Sequence, residues 1–352
     1  MQCMKAAVLE EANRIEYRDV ELPVPAAGQV RVRVHYTGVC GSDVPRALEG
    51  RVHAFPLVLG HEFSGVVDAL GEGVDESLAG KRVAGIPLVP CMECADCREG
   101  RFSLCKTYGF IGSRQPGSMA EYVIVPAINV YPVADEVTDL EAAFFEPATV
   151  ALHGIELAGV KPGGTALVLG GGTIGILCAQ ALSAYGVRAV VTTVRSEAGM
   201  DRARAAGLEN LVDTSVEGWQ DEARQLADCT GFDYIFDAAG TPETILDAFE
   251  LAGAAATVCF IGTPKRDVTF TVRQWENINR KELTVTGSWM SYSAPWPGVE
   301  WSRASELFAA GTMRVVDEMI DTVYPLSETQ DALQRFAVRG GVRGKILIDS
   351  QE

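Results

Sequence analysis

Short alternations of apolar and polar residues dominate the first 150 positions of the chain. Residues 30–35 read VRVRVH, which puts Val30, Val32 and Val34 on one face of a strand and both arginines on the other. Residues 63–68 form a second run of this kind. Breaks such as PAAGQ and GEG punctuate the region, so it reads as β-rich with short strands. From about Gly163 the texture changes. Residues 165–169 (TALVL) are continuously apolar, as in a buried strand, and a glycine turn leads from them into a helical run at 174–185. Further strands are predicted at 189–194, 234–237, 255–261 and 283–288, with helices at 197–206 and 244–251. Strands alternating with helices imply βαβ units around a parallel sheet. After Trp289 come a Pro-rich segment, a helix near 301–310 and a closing strand at 345–348. No internal repeat is visible.

Composition narrows the class. A chain of 352 residues is too long for one ordinary core, so two domains are expected. A net charge of −17 argues against nucleic acid as a partner, because neutralising phosphates needs clustered Lys and Arg. No apolar run approaches the ~18 residues of a membrane span. The start, MQCMKAAVLEEANRIEY, has one early Lys and then acids, unlike a secretory signal. Nine cysteines, an odd and unevenly spread set, fit a cytoplasmic chain with reduced thiols better than a disulfide framework.

The glycine turn GGGTIG at 170–175 lies between a predicted strand and a predicted helix, the context that makes GxGxxG a dinucleotide fingerprint. Gly170 permits the tight turn, Gly172 lets a pyrophosphate approach the backbone, and Gly175 lets the helix pack closely. Thr173 and Ile174 open the helix, whose free N–H groups would receive the phosphates. A glycine-rich turn without a ligand is the plain alternative. About 20 residues on, an NAD site carries an acid for the ribose hydroxyls. Here the second strand ends Val194-Arg195-Ser196, with no acid. Arg195 and Ser196 suit the 2′-phosphate of NADP, so NADP is favoured over NAD. The alternative is a surface Arg195, with Glu197 as an acid one turn late.

Cys91, Cys94, Cys97 and Cys105 follow C-x2-C-x2-C-x7-C. Four thiolates at this spacing suit a closed tetrahedral zinc site, since a saturated sulfur shell leaves no position for substrate. An iron–sulfur cluster is the rival, weakened by the x7 gap and the missing Pro after the last Cys. A second constellation is scattered: Cys40 in GVCGSD, His61 and Glu62 in LGHEFSG, and Glu146 in FFEPATV. Singly they are ordinary, for Cys40 could be a small core residue and Glu146 a helix cap. Together they offer the thiolate, imidazole and carboxylates of a catalytic zinc with an open position.

The segments CGSDVPR (40–46), LGHEFSG (59–65), PCMECADC (90–97), YGFIGSR (108–114) and GSWMSYSAPWPG (287–298) carry a family resemblance. Over essentially its full length the chain resembles the zinc-dependent medium-chain dehydrogenases, and within them the polyol dehydrogenase branch. The resemblance implies an α/β protein with a GroES-like β-rich catalytic domain at 1–152 and 290–352, bearing a structural zinc lobe at 90–106. A Rossmann domain with a doubly wound parallel sheet would occupy 153–289, and the active site would lie in the cleft. The four-cysteine lobe becomes a clamp, and the working zinc belongs to Cys40, His61, Glu62 and Glu146, so that each chain holds two Zn2+. Cys40 and His61 would be fixed ligands and the glutamates exchangeable ones. Hydride would pass between a secondary alcohol or ketone, a polyol or polyol phosphate, and the nicotinamide. Ser42 would take the hydroxyl proton, while Pro45 stands where family members often carry a relay His. Phe110, Arg114, Trp289 and Tyr292 would line the substrate pocket, although Phe110 and Trp289 equally suit plain packing. Arg46 and Arg114 are the cations nearest these motifs, either for a substrate phosphate or as solvated charges. Homodimers or homotetramers are the family's habit. A zinc-stabilised binding protein without catalysis is the remaining alternative.

Overall fold

The alternation at 30–35 becomes the strand Gln29–Gly38, in which Val30, Val32 and Val34 are fully buried and Arg33 is exposed. The computed structural model describes residues 2–338 and 340–351. Contacts divide it into two units. The first comprises Met1–Glu146, Tyr292–Trp301 and Ile320–Glu352. Its main sheet runs in the order Val130–Pro132, Arg82–Gly85, Glu62–Leu70, Gln29–Gly38, Lys345–Asp349, Ile320–Pro325, with Tyr122–Pro126 also paired to Gln29–Gly38. Antiparallel register places Gly38 opposite Glu62 on one side and opposite Leu347 on the other. Three segments far apart in sequence therefore meet at one end of this sheet. Valines from Gln29–Gly38 pack with Phe63, Val67, Val83 and Val123 beneath it. This is the GroES-like β-rich part of the fold.

The second unit, Pro147–Ser291 with Ser302–Met319, holds a six-stranded, all-parallel sheet. Its order is Leu211–Asp213, Ala189–Val194, Thr165–Leu169, Phe232–Asp237, Ala252–Phe260, Thr284–Gly287. Strand order reverses beside Thr165–Leu169, the topological switch point at which doubly wound sheets bind ligands. Every residue of Thr165–Leu169 is buried, as a strand covered by helices on both faces must be. The Rossmann expectation holds.

The division departs from the expected boundaries. The leading segment of the first unit ends at Glu146 rather than 152, Met290 and Ser291 join the second unit, and Ser302–Met319 packs there too. The reason is specific bonding: the Gln180 amide donates to the carbonyls of Ala206 and Arg314 and accepts from the Arg314 N–H. Elements beyond those predicted from sequence include Phe145–Ala158, Leu211–Asp213, Trp219–Leu226 and Val272–Arg280. The first begins Phe-Glu-Pro and is too uniformly apolar to show a helical stripe. The second, at three residues, is too short to show a period. Among the described residues no helix is long and apolar enough to cross a membrane.

Candidate metal and cofactor sites

In the second unit the glycines of the turn have distinct physical reasons. Gly170 sits at φ +107, where a side chain would be strained. A Cβ on Gly175 would lie 1.8 Å from the Gly170 carbonyl oxygen, so only glycine lets the helix Thr173–Ala184 approach the strand. Gly172 caps that helix and has open space where a Cβ would stand. Thr173 and Ile174 form the first turn. Beside the turn a cavity of 360 Å³ is lined by Gly170, Gly171, Thr193, Val194, Arg195 and Thr214. Val194 also packs into a small core with Ala203 and Leu211. Ser196 serves the local fold: its Oγ accepts from the Gly199 N–H and caps the helix Glu197–Ala205. Thr214, missed in the sequence, donates to the Val194 carbonyl from across the cavity rim.

In the first unit two donor sets form. The thiols of Cys91, Cys94, Cys97 and Cys105 all lie within 4.8 Å of one another. Cys91 Sγ is 3.9 Å from Cys97 Sγ, far from a disulfide bond and close to the ~3.8 Å edge of a tetrahedron with Zn–S bonds of about 2.3 Å. The short helix Ala95–Arg98 presents Cys97 and has Cys94 at its N-cap. Backbone N–H groups, Glu93 foremost, pull the Cys91 thiol down to about 6. Burial and the neighbouring sulfurs push Cys97 up to about 12. Four thiols held this closely are a preformed shell for one thiophilic ion.

The second set is Cys40, His61 and Glu62, whose donor atoms also lie within 4.8 Å of one another. Cys40 follows the strand Gln29–Gly38, and the turn at Gly60 (φ +96) delivers His61 and Glu62 to the adjacent strand. Asp43, fully buried, accepts from the Cys40 N–H at 3.1 Å and from Arg46 at 3.1 Å. Its carboxylate stands 3.3 Å from His61 Nδ1, but the angle does not make a hydrogen bond, so the contact is electrostatic. That contact leaves Nε2 of His61 for a metal. Lys345, from the closing strand, places Nζ 2.5 Å from Glu62 Oε2. Neither Asp43 nor Lys345 was singled out in the sequence; the acid three residues after Cys40 was a usable signal, and the lysine gave none.

Glu146, in the first turn of Phe145–Ala158, falls outside the tight set but within its field. Burial, and then repulsion from Glu62, raise its pKa to about 7 despite the pull of His61 and Lys345. One thiol, one imidazole and carboxylates gathered as donors fit a zinc-like divalent cation.

The remaining candidates divide. Phe110 stands edge-on to the His61 ring at 5.4 Å. Ser42 is exposed, and its Oγ accepts from Arg46 at 2.9 Å. Arg114 is exposed and lies over the Tyr108 ring, 4.3 Å from its centroid. Trp289 belongs to the second unit and is exposed. Tyr292 belongs to the first unit. It is buried in a stack with Trp296 and Trp301, and its hydroxyl accepts from the Leu88 N–H at 3.4 Å, so it packs the first unit.

Comparison with known proteins agrees with both halves. Residues 26–135 match the alcohol dehydrogenase GroES-like domain, and residues 173–307 match the zinc-binding dehydrogenase domain. Galactitol 1-phosphate 5-dehydrogenase of Escherichia coli (strain K12) is 35% identical over 352 residues, covering 98% of this chain and 99% of the relative. The crystal structure of galactitol-1-phosphate dehydrogenase from Escherichia coli superposes with a TM-score of 0.91 over 98% of this chain and 100% of that one. A putative zinc-binding dehydrogenase from Sinorhizobium meliloti 1021, bound to NADP, gives 0.88 at 31% identity, covering 99% and 100%. An alcohol dehydrogenase from E. coli CFT073, complexed with NADH, gives 0.87 at 28% identity, again covering 99% and 100%. With matching domains over most of its length, the chain belongs to the zinc-binding, GroES-like alcohol dehydrogenase family and is an oxidoreductase of secondary alcohols.

Proposed function

We propose that this enzyme interconverts a polyol or polyol phosphate and its ketone, with NADP as the preferred hydride carrier and zinc at two sites. The observation that carries the reading is the contrast between two donor sets. Four thiols make a complete tetrahedral set, while Cys40, His61 and Glu62 are three donors, one short of it. The tight sulfur spacing favours one ion over an iron–sulfur cluster, which distributes its thiolates over several irons. The relative that acts on galactitol 1-phosphate supports a phosphorylated polyol.

Cys40 and His61 would hold the working zinc with Glu62 and Glu146, the two glutamates as exchangeable donors. Zinc bound there supplies Lewis acidity that lowers the pKa of a hydroxyl oxygen. Ser42, exposed at the head of its helix, receives the hydroxyl proton. Pro45 has no proton to exchange, so the proton leaves through water or a ribose hydroxyl. Phe110 borders the substrate beside His61. Arg46, Arg114 and Trp289 are candidate substrate contacts, the arginines for a phosphate. Gly170, Gly172, Thr173, Ile174 and Gly175 receive the pyrophosphate at a helix N-terminus. Arg195, at the cavity rim, faces the 2′-phosphate, and no carboxylate ends the strand Ala189–Val194 to repel it. Relatives with NADP and with NADH both exist, so the preference rests on Arg195 and its neighbours. Assembly as a cytoplasmic homodimer or homotetramer completes the proposal.

A panel of polyols, polyol phosphates and ketoses assayed with both cofactors tests the reading. Turnover of a polyol or its phosphate, with a lower KM for NADP than for NAD, is the expected result. Turnover confined to simple alcohols would reassign the substrate, and no turnover with any of them would refute the function.

A further inference from the structure

The strand Lys345–Asp349 has an apolar centre: Ile346, Leu347 and Ile348 are all completely buried. A lysine at its buried first position therefore needs a reason, because an apolar residue would pack there without losing the hydration of an ammonium group. Its Nζ lies 2.5 Å from Glu62 Oε2 and 3.4 Å from the Val39 carbonyl. Lys345 thus forms a buried ion pair with one of the donor carboxylates. The backbone makes room for the pair, since a Cβ on Gly38 would lie 2.4 Å from Glu62 Oε2.

Resting on the metal reading above, we propose that Lys345 is a positioning residue that competes with the metal for Glu62 and keeps that ligand exchangeable. While the ion pair stands, one carboxylate oxygen is committed to the ammonium, and Glu62 can offer a metal only the other. Removing the lysine frees both oxygens of Glu62. The metal should then be held more tightly, and Glu62 should yield its place to a substrate oxygen less readily.

The test is release of zinc from the fully loaded protein to a chelator, followed with a zinc-sensitive dye, together with the visible spectrum of the cobalt-substituted protein. Lys345→Met and Lys345→Gln should release the second zinc about tenfold more slowly than wild type, the low end of effects from groups bonded to metal ligands. Their cobalt spectra should weaken as Glu62 contributes a second oxygen, and Lys345→Arg should restore wild-type behaviour in both readouts. In a Glu62→Gln background, Lys345→Met should change neither. Faster release, unchanged release and spectrum, or an effect that persists without Glu62 each overturn the proposal; Lys345→Gln, which keeps a hydrogen-bond donor but no charge, decides if Lys345→Met does not fold. A wild type that takes up only the zinc of the four-cysteine lobe overturns the metal reading and this inference with it. A wild type with two zinc ions but insensitive to Lys345 overturns this inference alone.

Discussion

Gly172 and Gly175 stand three residues apart in one turn, yet replacing each by alanine should have different signatures. At Gly172 the backbone lies at φ −81 and ψ −175, which alanine adopts freely, and nothing lies within 4 Å of the added Cβ. The weaker cap and the lower entropy of the unfolded chain nearly cancel, so stability without cofactor should change by no more than about 0.5 kcal/mol. The methyl group would, however, occupy the space into which the pyrophosphate comes. Overpacking at such a contact costs about 1–3 kcal/mol, or about 5- to 150-fold in cofactor affinity. At Gly175 the added Cβ would start 1.8 Å from the Gly170 oxygen, where real Cβ contacts stay above 3.0 Å, so helix or strand must move by at least about 1.2 Å. Gly175→Ala should therefore lower the melting temperature even without cofactor, by about 1–3 kcal/mol of stability, and weaken cofactor binding as well. Thermal melts without ligand and fluorescence titration with reduced nicotinamide cofactor separate the two variants. Wild-type cofactor affinity in Gly172→Ala would refute the phosphate-binding role of the turn, and a wild-type melt for Gly175→Ala would refute the packing argument.

Cys97→Ser should cost the four-cysteine lobe its metal and unfold or disassemble the protein, since structural zinc contributes folding energy outright; loss of turnover with an unchanged melting temperature would reverse the roles of the two donor sets. Arg195→Ala should raise KM for NADP about tenfold and leave NAD nearly unaffected, and Val194→Asp with Arg195→Ile should make NAD the better substrate, because a charge-assisted hydrogen bond contributes about 1.5–3 kcal/mol; steady-state kinetics with both cofactors decides. Burial would raise the pKa of Asp139, but bonds from Arg82 and His35, each 2.7 Å long, outweigh it and hold the carboxyl below its ordinary value. A depressed carboxyl contributes stability above its unfolded pKa of about 3.9 that is lost as pH falls through the folded one. Asp139→Asn should thus be less stable than wild type at neutral pH, with the gap closing below about pH 4 in chemical denaturation.

The parts of the site that were legible in the sequence are those built from neighbours. The glycine turn could be read because Gly170 and Gly175 act on each other across a single turn, and the four-cysteine lobe because its ligands, Cys91 to Cys105, lie within one short stretch. Cys40, His61 and Glu62 could be gathered only by the chemistry they share and by resemblance, since strand pairing is what brings Gly38 beside Glu62. Lys345 was illegible: it meets Glu62 across 283 residues, and in sequence it begins an ordinary closing strand. The stacking of Tyr292 on Trp296 and Trp301 was illegible for a related reason, because an aromatic in a family motif gives no sign of which rings it will meet. Ser196 was placed at the cofactor for its hydroxyl, yet Ser-x-x-Gly before a helix is also an N-cap pattern, and that is the bond it makes.

Zinc-dependent hydride transfer is tested most directly by following cofactor reduction by a polyol substrate in one sample while the zinc content is lowered stepwise and then restored. Turnover should fall to background as zinc drops from about two ions per chain to about one, with the fold intact, and return when zinc is added back. Full turnover in protein that retains only the zinc of Cys91, Cys94, Cys97 and Cys105 would contradict the account.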